Sequence, residues 1–122
     1  MIYTFGQPRL GNMIYQKALN DQFNGYYYRV THHRDMIPHV PPCVLSLFNP
    51  NTLCEAGIGI DLMWYPLHAG IEVFFDDDTA TNYRVCENVE DATCSMKYIG
   101  TSIADHRFYL GLWDNCPGDD DK

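Results

Sequence analysis

The stretch MIYTFGQPRLGNMIYQKALNDQFNGYYYRVTHHRD, Met1 to Asp35, decides the fold. Met1 to Phe5 is mostly β-branched or aromatic and stops at Gly6, and Gly6, Pro8 and Gly11 interrupt the next stretch, so a short buried strand enters an ordered loop. Asn12 is a helix cap, because behind it Tyr15, Ala18, Leu19, Gln22 and Phe23 recur at three- and four-residue spacing. That spacing places one apolar stripe on a helix ending near Asn24-Gly25. Tyr26 to His32 is rich in strand formers, and Pro38, Pro41 and Pro42 cannot donate ladder hydrogen bonds, so the strand ends before them and Asp35 lies just past its carboxyl end. Strand, loop, helix, strand is a βαβ unit with a parallel pair.

Working outward, Cys43 to Pro66 is irregular, with a turn at Asn49-Pro50-Asn51 and loosening glycines at Gly57 and Gly59, and reads as an excursion over the surface. Ala69 to Phe75 alternates, Ile71, Val73 and Phe75 opposing Glu72 and Phe74. Asn82 to Cys86 resumes strand character after an acidic turn, so the pair forms a β-hairpin at one edge of the sheet. Ile99 to Trp113 is apolar and aromatic and sets His106 on a turn or short helix.

Composition bounds the function. The 122 residues are 46% hydrophobic and 14% aromatic, enough for one domain with a core, and no apolar run reaches the roughly 18 residues of a membrane span. Sixteen Asp and Glu against 8 Lys and Arg give a formal charge of -8, with the basic residues scattered, which argues against nucleic acid as a partner. The runs Asp76 to Asp78 and Asp119 to Asp121 read as a loop tip and a solvated tail. Five cysteines, at positions 43, 54, 86, 94 and 116, without a C-x-x-C pair, favour disulfides in an oxidising, extracellular compartment. Met1 runs straight into the first strand with no signal peptide ahead of it, so secreted-type cysteine usage without a leader suggests a piece of a longer chain.

In open α/β sheets the functional groups collect beyond the carboxyl ends of the strands, where Asp35 and the Gly6 to Gly11 loop fall. An acid there can accept a hydrogen bond from one imidazole nitrogen and stabilise the imidazolium formed when the other takes a proton. His32, His33 and His39 are close to Asp35 in sequence, whereas His106 is distant; Asp105, its neighbour, points apart from it, so a distant carboxylate is the better orienter. His32, Asp35 and His39 make a poor metal set, because His32 and His33 face opposite sides of a strand and Pro38 stiffens the chain. His68, with Glu72, reads as a structural core histidine over a catalytic one, and Leu62 to Tyr65 with Leu67 as core around Pro66, the alternative being an acyl-pocket lining or a lipid-facing surface. Arg9 and Arg29 fit internal carboxylate pairing and surface exposure equally well.

Four ordered blocks are more specific. Tyr3-Thr4-Phe5-Gly6-Gln7-Pro8-Arg9-Leu10-Gly11-Asn12; Arg29-Val30-Thr31-His32 to Asp35-Met36-Ile37-Pro38 and Pro41-Pro42; Tyr65, His68, Gly70 and Glu72-Val73; and Ser102-Ile103-Ala104-Asp105-His106 with Tyr109-Leu110-Gly111 closely resemble the fungal-type class 3 triacylglycerol lipases of the α/β-hydrolase superfamily. The resemblance implies an α/β fold, the C-terminal part of an α/β-hydrolase sheet with mostly parallel strands, flanking helices and an edge hairpin. It places residues 1–117 in such a domain, with 118–122 an acidic tail. It implies Asp35 and His106 as the acid and histidine of a Ser-Asp-His triad acting on acylglycerol or other ester lipids, with no metal or cofactor. It also implies a Cys86–Cys94 disulfide and leaves the partners of Cys43, Cys54 and Cys116 open. The family's G-x-S-x-G elbow has no counterpart here, since Ser46, Ser95 and Ser102 all lack that setting, so the chain alone is expected to be inactive. The intact parent is expected to touch a lipid interface, and the first strand to offer a free sheet edge for association. The rival is a non-catalytic lipase-like binding or decoy module.

Overall fold

A computed structural model describes residues 1–42, 66–98 and 101–114. Cys43, Ser46, Asn49 to Asn51, Cys54, Gly57, Gly59, Leu62 to Tyr65, Ile99, Gly100, Cys116 and the acidic tail lie outside the described residues. Strand β1 (Ile2–Phe5), helix α1 (Met13–Phe23) and strand β2 (Tyr27–His32) form the βαβ unit, followed by β3 (Ile71–Phe75), β4 (Tyr83–Val85), the one-turn helix α2 (Ile103–His106), and β5 (Phe108–Tyr109) with β6 (Leu112–Trp113). The main sheet runs β1-β2-β3-β4. β1 with β2 and β2 with β3 are parallel, and β3 with β4 is antiparallel. The small β5–β6 hairpin stands apart and was not foreseen. This is a mostly parallel α/β sheet with an edge hairpin, as expected.

Local chemistry explains the elements. Asn12 caps α1 by accepting the Tyr15 amide at 3.0 Å, and Asn24 closes it in the left-handed conformation, φ 42°, which Asn tolerates better than most residues. The expected apolar stripe is only partly right. Tyr15, Ala18 and Gln22 are exposed, and α1 faces the sheet through Gln16, Leu19, Asn20 and Phe23. The docking is partly polar, Asn20 accepting the Gly70 amide at 2.8 Å while Phe23 meets Tyr27 edge to face.

The expectation that β1 is buried is corrected too. Tyr3 and Phe5 are 56% and 50% exposed, because β1 is the terminal strand of the described sheet and has β2 on one side only. The interior instead lies around β2 and β3, where Arg29, Thr31 and Glu72 are almost wholly buried beside Val30 and Phe74. Phe74 also packs with Tyr98 on the Cys86–Cys94 disulfide, which is formed.

Candidate active site

The carboxyl end of β2 carries the acid. After His32 the chain turns sharply: His33 takes φ +39°, and the Asp35 amide donates back to the His32 carbonyl at 2.9 Å. Asp35 is 1% exposed, and its Oδ1 accepts the Ile37 amide at 2.8 Å, so backbone geometry fixes one carboxylate oxygen.

Helix α2 brings the histidine. Ser102 caps the helix, its Oγ accepting the Asp105 amide at 3.3 Å, while its own amide donates to the Arg34 carbonyl at 2.7 Å and pairs the segment with Asp35 in a short parallel bridge. At the far end of that single turn, His106 Nδ1 lies 2.9 Å from Oδ2 and 3.1 Å from Oδ1 of Asp35. With the carboxylate ionised, Nδ1 carries the proton and donates, leaving Nε2 with the free lone pair. Tyr109 donates its hydroxyl to Asp35 Oδ2 as well. Burial, and next the Asp35 charge, push the Tyr109 phenol far above its ordinary pKa of 10.0, so it stays protonated as a donor.

Gly6 closes the site from the β1 side. Its φ is +57°, and a Cβ there would lie 2.6 Å from His106 Nδ1 and 2.7 Å from Asp35 Oδ2, so the backbone approaches the pair as only glycine permits. Beside His106, which is one-third exposed, Phe5, Tyr109, Leu110, Leu112 and Trp113 line a largely apolar cavity of about 350 Å³.

Two buried ion clusters support the loop and strands behind the pair. Arg9 donates to both Glu90 oxygens, at 3.1 and 3.0 Å, and to the carbonyls of His39 and Pro41 at 2.8 and 3.0 Å, tying the β1 loop to the chain that follows Asp35. Arg29 reaches Glu72 at 3.3 Å and the Val89 carbonyl at 2.6 Å, and Thr31 donates to Glu72 at 2.7 Å. Both arginines are therefore internal. His68 lies against Glu90, Nδ1 to Oε1 3.1 Å, and not against Glu72. Burial, with the nearby Arg29, lowers the His68 pKa to about 4. Burial alone would raise that of Glu90, but His68 and Arg9 outweigh it and hold the carboxyl well below its usual range.

The remaining candidates separate. His32 Nδ1 faces the Asp105 carbonyl oxygen at 3.1 Å, and Asp105 engages His33 at 2.9 Å instead of its neighbour His106. Among the described residues, Glu72, Cys86 and Cys94 are the group close enough to share a metal ion, but the sulfurs are joined in the disulfide and offer no thiolate, and Glu72 is committed to Arg29 and Thr31. Sequence reasoning missed Tyr109 as a partner of Asp35, and Glu90 altogether as a partner of Arg9 and His68. Neither has a local signal, since each partner is brought in from a distant segment.

Residues 1–45 match the family Lipase (class 3). Over that stretch the chain is similar to the class 3 lipases. A lipase of Caenorhabditis elegans is 30% identical to 91% of the chain, and a secreted mono- and diacylglycerol lipase of Fusarium solani is 29% identical to 94% of it. The chain spans 35% and 30% of those relatives, about a third of their length. Among solved structures, lipase II of Rhizopus niveus superposes with a TM-score of 0.67 at 27% identity, over 92% of this chain and 35% of that one. A Rhizopus microsporus lipase gives the same TM-score at 32% identity, over 92% of this chain and 32% of that one. The chain thus carries the α/β-hydrolase fold of the family that its four sequence blocks resemble.

Proposed function

We propose that this chain is part of a class 3 lipase and supplies the acid and the base of a Ser-Asp-His triad that hydrolyses carboxylic esters of the acylglycerol type outside the cell. The observation that carries the reading is the buried Asp35 carboxylate 2.9 Å from His106 Nδ1, beside an apolar cavity into which an ester can enter. In this reading His106 Nε2 takes the proton of a serine hydroxyl as that oxygen attacks the ester carbonyl. It then gives that proton to the leaving alkoxide, and water attacks the resulting acyl ester while passing a proton to Nε2, which delivers it to the departing serine oxygen as the carboxylic acid is freed. Asp35 keeps the ring in the productive tautomer and stabilises the imidazolium, and the Tyr109 hydroxyl holds the carboxylate in place.

In this reading the serine belongs to polypeptide outside these residues, because Ser102 caps α2 and no serine here stands in a G-x-S-x-G setting. The secreted relatives and the Cys86–Cys94 disulfide support an extracellular setting.

The test compares hydrolysis of a short-chain p-nitrophenyl ester by the product of the complete open reading frame, its Asp35→Asn and His106→Ala variants, and the 122-residue chain alone. Turnover by the first, lost by about 10⁴-fold in the variants, is expected, with none by the chain alone. Turnover unaffected by either substitution would overturn the assignment, and no turnover by any form would favour a binding module.

A further inference from the structure

His106 ends a helix of one turn, and an isolated turn that short has no stability of its own. Its place beside Asp35 must therefore come from how α2 is docked. Asp105, the residue before His106, makes most of that docking. Its Oδ2 lies 2.9 Å from His33 Nδ1 and accepts the Arg34 amide at 3.0 Å, its Oδ1 accepts the Ser102 hydroxyl at 3.1 Å, and its carbonyl oxygen is 3.1 Å from His32 Nδ1. Three of these four partners are the consecutive residues His32, His33 and Arg34, which lead directly into Asp35. The carboxylate thus joins the residue beside the base to the residues beside the acid.

The backbone supplies a second, independent sign. His33 is held at φ +39°, a region that costs a non-glycine residue free energy and persists where surrounding contacts over-determine it. In that conformation the imidazole meets Asp105 on one side and packs edge to face on Tyr98, ring centroids 5.1 Å apart, on another.

We propose that Asp105 is a positioning residue, its bonds to His33 and Arg34 setting where the His106 ring sits relative to Asp35. This rests on the reading of Asp35 and His106 as the working pair. Asp105 touches no reacting atom in that reading; it acts through the placement of α2.

The experiment is NMR of the 122-residue chain with ¹⁵N-labelled histidine, observing the low-field Nδ1–H proton of His106, assigned by its disappearance in His106→Gln. Asp105→Asn removes the charge but keeps the side-chain shape. His33→Asn removes the imidazole and suits the positive φ, leaving Asp105 bonded to Arg34 and Ser102. Far-UV circular dichroism identifies which variants fold as the wild type does. In a folded variant the proton should be lost or exchange with water roughly tenfold faster, the factor that matches one hydrogen bond of ordinary net worth. Wild-type exchange in every folded variant would overturn the proposal. The underlying reading fails differently: the wild-type chain itself would then lack the resonance, or Asp35→Asn would leave it unchanged.

Discussion

Replacing Gly6 by alanine tests how closely the backbone is fitted to the Asp35–His106 pair. Two costs add. At φ +57° an alanine enters the left-handed region, worth about 1–2 kcal/mol. Its Cβ would also stand 2.6 Å from His106 Nδ1, against an ordinary contact of 3.4 Å, so the ring or the loop must yield by 3.4 − 2.6 = 0.8 Å. If the ring retreated by that amount along the Nδ1···Oδ2 direction, the 2.9 Å contact would open to about 3.7 Å, beyond hydrogen-bond range. A hydrogen bond to a charged group contributes about 1.5–3 kcal/mol, so the total is about 3 kcal/mol or more. Gly25 provides the control, since its φ is +82° with nothing within 4 Å of a Cβ, and Gly25→Ala isolates the backbone cost. Thermal unfolding of the two variants should place Gly6→Ala lower by about 6–12 °C, with loss of the His106 Nδ1–H resonance. Equal melting temperatures with the resonance intact would refute the claim that glycine is required for the approach.

Three further outcomes are expected. His68 has a folded pKa of about 4 against an ordinary 6.5, so between those values the unfolded chain takes up a proton that the folded one refuses. Stability should therefore fall by up to about 3 kcal/mol as pH drops through that window, with a further loss below pH 4.5 as Glu90 is protonated more readily in the unfolded chain; flat urea midpoints from pH 7 to pH 4 would contradict this. Glu90→Gln leaves the buried Arg9 guanidinium without its counter-charge and should cost about 3 kcal/mol by chemical denaturation, of which the double replacement Arg9→Met with Glu90→Leu should recover more than half. Reducing Cys86–Cys94, whose separation is 8 residues, should lower stability by about 2.5 kcal/mol, seen as a shift in urea midpoint between oxidised and reduced chain.

Much of this molecule is legible in its sequence because the signals are local. The Asn12 cap, the Asn24-Gly25 stop and the proline cluster after His32 mark the ends of α1 and β2, and the alternation from Ile71 to Phe75 marks β3. Asp35 could be set beyond a strand end for the same reason, and His106 on a short helix. The interior was not legible, since Arg9, Arg29, Glu72 and Glu90 are indistinguishable in a string from surface charges until the strands lie side by side. Tyr109 was hidden in the same way, its acceptor being contributed by the turn after β2. The α1 stripe was read too broadly because periodicity reports which residues share a face, not how much of that face finds something to lie against.

Arg29 and Glu72 stand directly opposite each other across β2 and β3. Sliding β2 by one place would throw the guanidinium to the opposite surface of the sheet, and sliding it by two would leave it next to Gly70 or Phe74 with Glu72 stranded. Strands lined only with valine and isoleucine would lose little in the second slip, whereas here each misalignment isolates a charge in the interior. The salt link thereby works as a key cut for one alignment, and it is this alignment that delivers the end of β2, with Asp35 just beyond it, to the place where His106 arrives.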